Sequence, residues 1–253
     1  MQRITSPRHE HRPGVMVLRR HTALLLALLL ALVACDRSAT PAAPSKPASE
    51  PQEAPGQPEP PAPTPQATKP APIPFEIVGE VAGLIDPVRL DGLQGKRAAN
   101  RSLRRVCFVL ESARQGGHPP AAIIDAAQEA LEVSGTARAE AVKASLIRNL
   151  DILEKLGCLE PAGMAKLETS NAPTITRGPY AGDIASVDHI IPRSVCEELD
   201  ERLYNLEFMP SRMNSGKGNR VTERKVQIGR RWNRLGLLSD AGLQAVELAA
   251  DRG

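Results

Sequence analysis

The chain has 253 residues and a mass of 27.1 kDa, and its 32 Lys plus Arg exceed its 29 Asp plus Glu by only three. So small an excess does not mark a nucleic-acid binder by bulk charge, and any basic surface must be local. Six aromatic residues are too few for base-stacking platforms or an aromatic-rich β-sandwich, and four Cys are too few for a disulfide scaffold. In chain order, Arg19 and Arg20 come first, followed by an apolar run from Ala23 to Ala34. That run is shorter than the roughly 20 residues that cross a bilayer. A basic start, a short apolar stretch and small residues before Cys35 predict an export signal over 1–35, for which Met16 is a tighter start than Met1. Residues 36–74 hold 13 of the 23 prolines and few large apolar side chains. They predict an extended, partly polyproline tether with a reach on the order of 120 Å.

Residues 75–253 carry the pattern of a folded, mainly α protein of the α+β class. Leu103, Val106, Cys107 and Leu110 recur at i, i+3, i+4 and i+7, predicting a helix from Ala98 to Gln115 with Gly116 as its stop. Pro119 and Pro120 open a second helix that runs towards Gly135. Val142, Leu146, Leu150 and Leu153 mark a third, closing at Gly157. These three helices predict a small bundle, a helical subdomain over 75–168 with no chemistry of its own. Ser239 and Asp240 cap a short terminal helix.

Candidate chemistry lies in 169–253. Of five histidines, His9, His11 and His21 leave with the signal, and His118 sits in a Gly-Gly-His-Pro-Pro turn. His189 remains, set with Asp188 in the apolar run Ser186-Val187-Asp188-His189-Ile190-Ile191-Pro192. A carboxylate and an imidazole in such a run cost free energy unless they are partnered. Downstream, Asn205-Leu206-Glu207-Phe208-Met209-Pro210 reads as a strand, and Asn214 to Arg220 as a turn leading into a helix. The blocks Asp188-His189-Ile190-Ile191-Pro192, Asn205-Leu206, Asn214 and Lys217-Gly218 resemble the HNH endonuclease family. Asn205 lies sixteen positions after His189 and Asn214 nine positions after Asn205, within that family's range.

The resemblance covers residues 177–235 and implies a ββα-metal domain. It implies His189 as general base, Asp188 and Asn214 as ligands of one Mg²⁺ or Mn²⁺, and Asn205 as a catalytic-site residue that ties down the inter-strand loop and orients His189. The chemistry suits those residue types. A neutral imidazole with a pKa of about 6.5 takes a proton from water near neutral pH. Two oxygen ligands with water completing the shell suit a hard, reluctantly dehydrated ion. Neighbours on a regular strand point to opposite faces, so Asp188 and His189 share a site only if the strand ends or bulges there. The paired Cys-x-x-Cys of many family members is half missing, with Pro210 and Met213 at the downstream positions, so no structural zinc is expected. Cys107, Cys158 and Cys196 leave either one disulfide, such as Cys107–Cys158, or three free thiols.

The last long helix is predicted from Arg220 to Leu235. Val221, Ile228, Trp232 and Leu235 form one stripe, and Arg220, Arg224, Gln227, Arg231 and Arg234 another, about 90° away. Between Ser211 and Arg234 there are eight Lys or Arg and one acid, Glu223. Lys217, Arg220, Arg224 and Arg231 are therefore the expected contacts to DNA phosphates. Leu32-Val33-Ala34-Cys35 resembles the bacterial lipobox, which implies a lipidated Cys35 at the mature N-terminus and a membrane anchor. Asp36 resembles an inner-membrane retention signal, which places the protein on the periplasm-facing inner membrane. The resulting expectation is an exported, lipid-anchored, metal-dependent endonuclease acting on DNA. The alternatives are a non-catalytic lipoprotein using the ββα unit as a binding or structural module, and a cytoplasmic enzyme whose signal is fortuitous.

Overall fold

The computed structural model describes residues 72–93 and 97–252, all within one compact unit, Thr64–Gly253. The predicted signal, Cys35 and nearly all of the predicted tether lie outside the described residues. The described chain is mainly helical. Helices α1 (Phe75–Ile85), α2 (Pro87–Asp91), α3 (Ala98–Gln115), α4 (Pro120–Ala130), α5 (Ala137–Lys155) and α6 (Pro161–Glu168) come first. Strands β1 (Ala185–His189) and β2 (Leu206–Pro210) follow, then α7 (Ser211–Lys217), α8 (Glu223–Arg234) and α9 (Asp240–Ala250). Among the described residues, no helix is long and apolar enough to cross a membrane.

Helix ends follow local chemistry where the sequence supplies it. Thr136 and Ser239 cap α5 and α9, accepting from the amides of Ala139 and Gly242 at 3.1 and 2.9 Å. Pro120 and Pro161 occupy the first turns of α4 and α6, where a missing N–H costs nothing. After α5, Gly157 takes φ +70°, and Cys158 N–H closes onto the Leu153 carbonyl at 2.8 Å. Helix α4 stops at Ala130, well before Gly135, because Glu132 turns left-handed at φ 58° and its amide bonds back to Glu129. Helices α1, α2 and α6 join the bundle without having been marked by the periodicity.

The strands pair antiparallel in the register Ala185↔Pro210, Val187↔Phe208 and His189↔Leu206. Ala185, Val187, Leu206 and Phe208 are buried, packed towards the helices. The helical stretch and the strands share polar as well as apolar contacts. From α5, the buried Asn149 amide donates to the Leu206 carbonyl at 3.0 Å and accepts from Phe208 N–H at 2.9 Å, completing the outer edge of β2. The Ser145 hydroxyl donates to the Leu203 carbonyl at 2.9 Å. Buried polar groups require such partners, so α5 sets the position of β2. The Glu201 carboxylate, beyond β1, accepts from Ala99 N–H at 2.6 Å and caps α3 from the opposite half of the unit.

Cys107, Cys158 and Cys196 are free and buried. Burial pushes the Cys158 and Cys196 thiols up to about 11 and drives Cys107 further in the same direction.

Candidate active-site cleft

Strand β1 ends at His189, and the chain bends at once into Ile190. That ending lets two sequence neighbours face one cleft. The cleft, of about 590 Å³, is lined by Asp188, His189, Asn214 and Asn219 together with Arg97, Pro192, Arg193 and Ser194. Such a volume accommodates a small ligand or a phosphodiester link with its flanking sugars.

His189 is held by a residue that the sequence did not single out. Its Nε2 lies 3.0 Å from the Asp200 carbonyl oxygen and 2.9 Å from Asp200 Oδ1. The hydrogen bond is aligned on the carbonyl, so Oδ1 is a close ionic neighbour without a hydrogen bond of its own. Two acceptor oxygens beside Nε2 fix the proton there, and the lone pair of the neutral ring is left on Nδ1. Arg193 Nη1 stands 3.5 Å from Asp200 Oδ2 and partly neutralises it.

Asn205 is fully buried beneath the cleft and does not line it. Its Oδ1 accepts from Ile191 N–H at 2.8 Å, and its Nδ2 donates to the carbonyls of Ile191 and Leu199 at 3.0 and 3.1 Å. Its backbone carbonyl accepts from Ile190 N–H at 2.7 Å. One amide side chain thus fastens both ends of the loop that carries Asp200 to His189.

Asn214 lies within helix α7, where a turn was expected. Its Nδ2 donates to Ser186 Oγ at 3.2 Å, which orients the amide and leaves Oδ1 available as a ligand. Lys217, expected as a contact to DNA phosphates, points towards the end of β1. Its ammonium pairs with Asp188 Oδ2 and donates to the His189 carbonyl at 2.9 Å. Asp188 faces Glu207 across the strands, so the cation offsets a like-charge pair. Among the described residues, no group of three or more His, Cys, Asp or Glu side chains gathers to hold a metal ion.

The arginine stripe is displaced from expectation. Helix α8 begins at Glu223, so Arg220 and Val221 precede it, and Leu235 lies exposed beyond its end. Arg220, Arg224 and Arg231 are exposed, yet none lines the cleft. Arg231 borders a separate groove with Arg148, Tyr204 and Trp232. The buried face of α8 is Lys225, Val226, Gly229 and Trp232, with Trp232 edge-on to Tyr204 at 5.1 Å. Lys225 was hidden among the exposed cations of the sequence. Its ammonium is buried and donates to the Arg220 carbonyl.

Burial pulls the Lys225 ammonium down to about 8, with Lys217 acting in the same sense and Asp188 and Glu207 opposing. An unfolded lysine titrates near 10.4, so from about pH 8 to 10 the unfolded chain holds the extra proton and native stability gains as pH rises. Lys225→Met should therefore stabilise most at pH 7, by about 2 kcal/mol before the pH-independent loss of the Arg220 contact. Urea unfolding of both proteins should show this difference shrinking towards pH 10. A difference constant from pH 7 to 10 would contradict the buried ammonium.

The chain matches no family model, no curated protein and no solved structure.

Proposed function

We propose that this chain is a metal-dependent endonuclease of the HNH type that hydrolyses DNA phosphodiester bonds. The observation that supports it most is the convergence of Asp188, His189 and Asn214 on one cleft, with His189 Nε2 engaged by Asp200. Nδ1 of the neutral ring is then the atom that accepts the proton of an attacking water. Asp200 acts as a positioning residue, holding the tautomer and the ring plane. The oxygens of Asp188 and Asn214 are hard donors, and the Ser186 contact presents the Asn214 carbonyl, so this donor set fits one Mg²⁺ or Mn²⁺. When bound, such an ion neutralises charge at phosphorus and supports the leaving alkoxide. Lys217 must then yield Asp188 and is free to contact phosphate itself.

The test is nicking of supercoiled plasmid by the purified protein with Mg²⁺ or Mn²⁺, against the same reaction in EDTA. Metal-dependent nicking supports the proposal, and intact plasmid under every metal condition removes it. The Asp188–Lys217 pair favours a second reading, a non-catalytic module in which the lysine permanently replaces the ion. Absence of any Mn²⁺ binding in calorimetry selects that module.

The exposed arginines of α8 are proposed to add sequence-independent grip on DNA. Changing Arg224 and Arg231 to Ala should lower the slope of log affinity against log salt by about one per lost phosphate contact. Anisotropy titrations at several salt concentrations measure it, and an unchanged slope would assign those side chains to solvent.

The proposed site of action is the cell envelope, with Cys35 lipidated and the proline-rich stretch lifting the nuclease from anionic headgroups. Cys35→Ser is expected to abolish palmitate labelling and detergent partitioning in the native host. Wild-type protein that is soluble and unlabelled would return the enzyme to the cytoplasm.

A further inference from the structure

Besides Lys217, which pairs with Asp188, the cations that border the cleft are not those of α8 but Arg97, at the head of α3, and Arg193, just after β1. Arg97 is exposed and belongs to the helical stretch, far along the chain from the catalytic candidates. Its backbone is left-handed at φ 65°, a conformation that disfavours a side chain with a Cβ. No side-chain cap explains the residue, because its side chain caps no amide of α3 and the Ala99 amide is served by Glu201 instead. Arg101 follows one turn on, exposed, and Arg104 lies beyond it. Burial lowers the Arg104 guanidinium first, and repulsion from Arg101 and Arg97 lowers it further. Arg104 is half-buried and donates to the Ser170 carbonyl at 3.3 Å, so the exposed pair is Arg97, on the cleft, and Arg101 one turn along α3, and two such guanidiniums are matched by a polyanion lying along them.

We infer that Arg97 is a phosphate-binding residue of the cleft, and that the helical stretch supplies the wall along which a nucleic-acid strand leaves the active site. The inference rests on the nuclease proposal for its choice of polyanion. A cleft lined by Arg97 together with His189 and Asn214 suits a single backbone, whereas a flat lipid surface would favour a convex array. Arg193 shares its charge with Asp200 and is the weaker grip. Arg97 and His189 line the same cleft, so a strand gripped by the guanidinium is held in the cleft that contains the imidazole.

The test uses the full chain and a fluorescent duplex of mixed sequence, titrated in EDTA so that nothing is cleaved. Arg97→Ala should weaken binding severalfold across sequences and lower the salt slope by about one, and Arg97→Lys should restore the slope. Arg97→Gly guards against a folding artefact. Glycine accepts φ 65° without strain, so this variant should melt higher than wild type yet bind as weakly as the Ala variant. Mn²⁺ binding by calorimetry should be unchanged in all three. Wild-type affinity and slope in both Arg97→Ala and Arg97→Gly would overturn the inference while leaving any plasmid nicking, and hence the nuclease proposal, in place. Arg97-dependent binding by a protein that never nicks plasmid would keep the inference and remove the nuclease. Loss of binding to phosphatidylglycerol vesicles with DNA binding intact would overturn it in favour of a lipid surface. A wild-type chain that binds no DNA would overturn both.

Discussion

His189→Ala is expected to slow DNA cleavage by about 10²–10⁴-fold, the range spanned by loss of a positioned general base. The geometry makes the effect specific. The ring is half-buried at the end of β1, with Nε2 taken up by Asp200, so Nδ1 is the basic position. The ligand candidates Asp188 and Asn214 are held by separate contacts, to Lys217 and Ser186, and neither depends on the imidazole. Mn²⁺ affinity measured by calorimetry should therefore survive, while single-turnover cleavage falls. Asp188→Ala should lower both. A His189→Ala variant that cleaves at the wild-type rate would remove the imidazole from the mechanism.

Asn205→Ala should cost about 3 kcal/mol of folding stability, more than any surface change in this region. The substitution deletes three side-chain hydrogen bonds, leaves the Ile191 amide and carbonyl unpaired in a site without solvent, and leaves the Leu199 carbonyl with only the Arg202 N–H. Each such group costs about 1–3 kcal/mol when buried alone, partly relieved by water entry. Urea denaturation should show a lower midpoint with an unchanged slope. Cleavage should fall as well, because the loop that sets Asp200 against His189 is fastened by that amide. A midpoint within error of wild type would show that the loop is held by other contacts.

These expectations divide unevenly between what is local and what is not. The span of α3, from Ala98 to Gln115, is legible in Leu103, Val106, Cys107 and Leu110, because a 3.6-residue repeat and a glycine pair are both local signals. The close of α5 at Gly157 and the Ser239 cap of α9 are legible for the same reason. The candidate ligands and base were legible only as a pattern of residue types in order. Their spacing along the chain says nothing about which face each occupies.

What only the tertiary structure decided depends on partners far along the chain. Helix α7 replaces an expected turn because Asp183 Oδ2 accepts from Arg212 N–H at 2.9 Å and the Ile184 carbonyl accepts from Ser211 N–H, caps that no nearby residue announces. The helix then ends at Gly218, whose φ 55° and ψ −152° admit glycine alone, and α8 cannot begin until Glu223. The Asp200 contact to His189, the pairing of Lys217 with Asp188, the burial of Lys225 and the arrival of Arg97 at the cleft have the same origin. By itself the sequence determined where most of the long helices run, since short-range periodicity carries that information, and it marked Asp188, His189 and Asn214 only as candidates. Which of its cations face the cleft, which neutralise a carboxylate and which face solvent was settled by packing α5 against β2 and by joining the start of α3 to Glu201. Charge is placed by long-range contacts, and those leave no local trace in the chain.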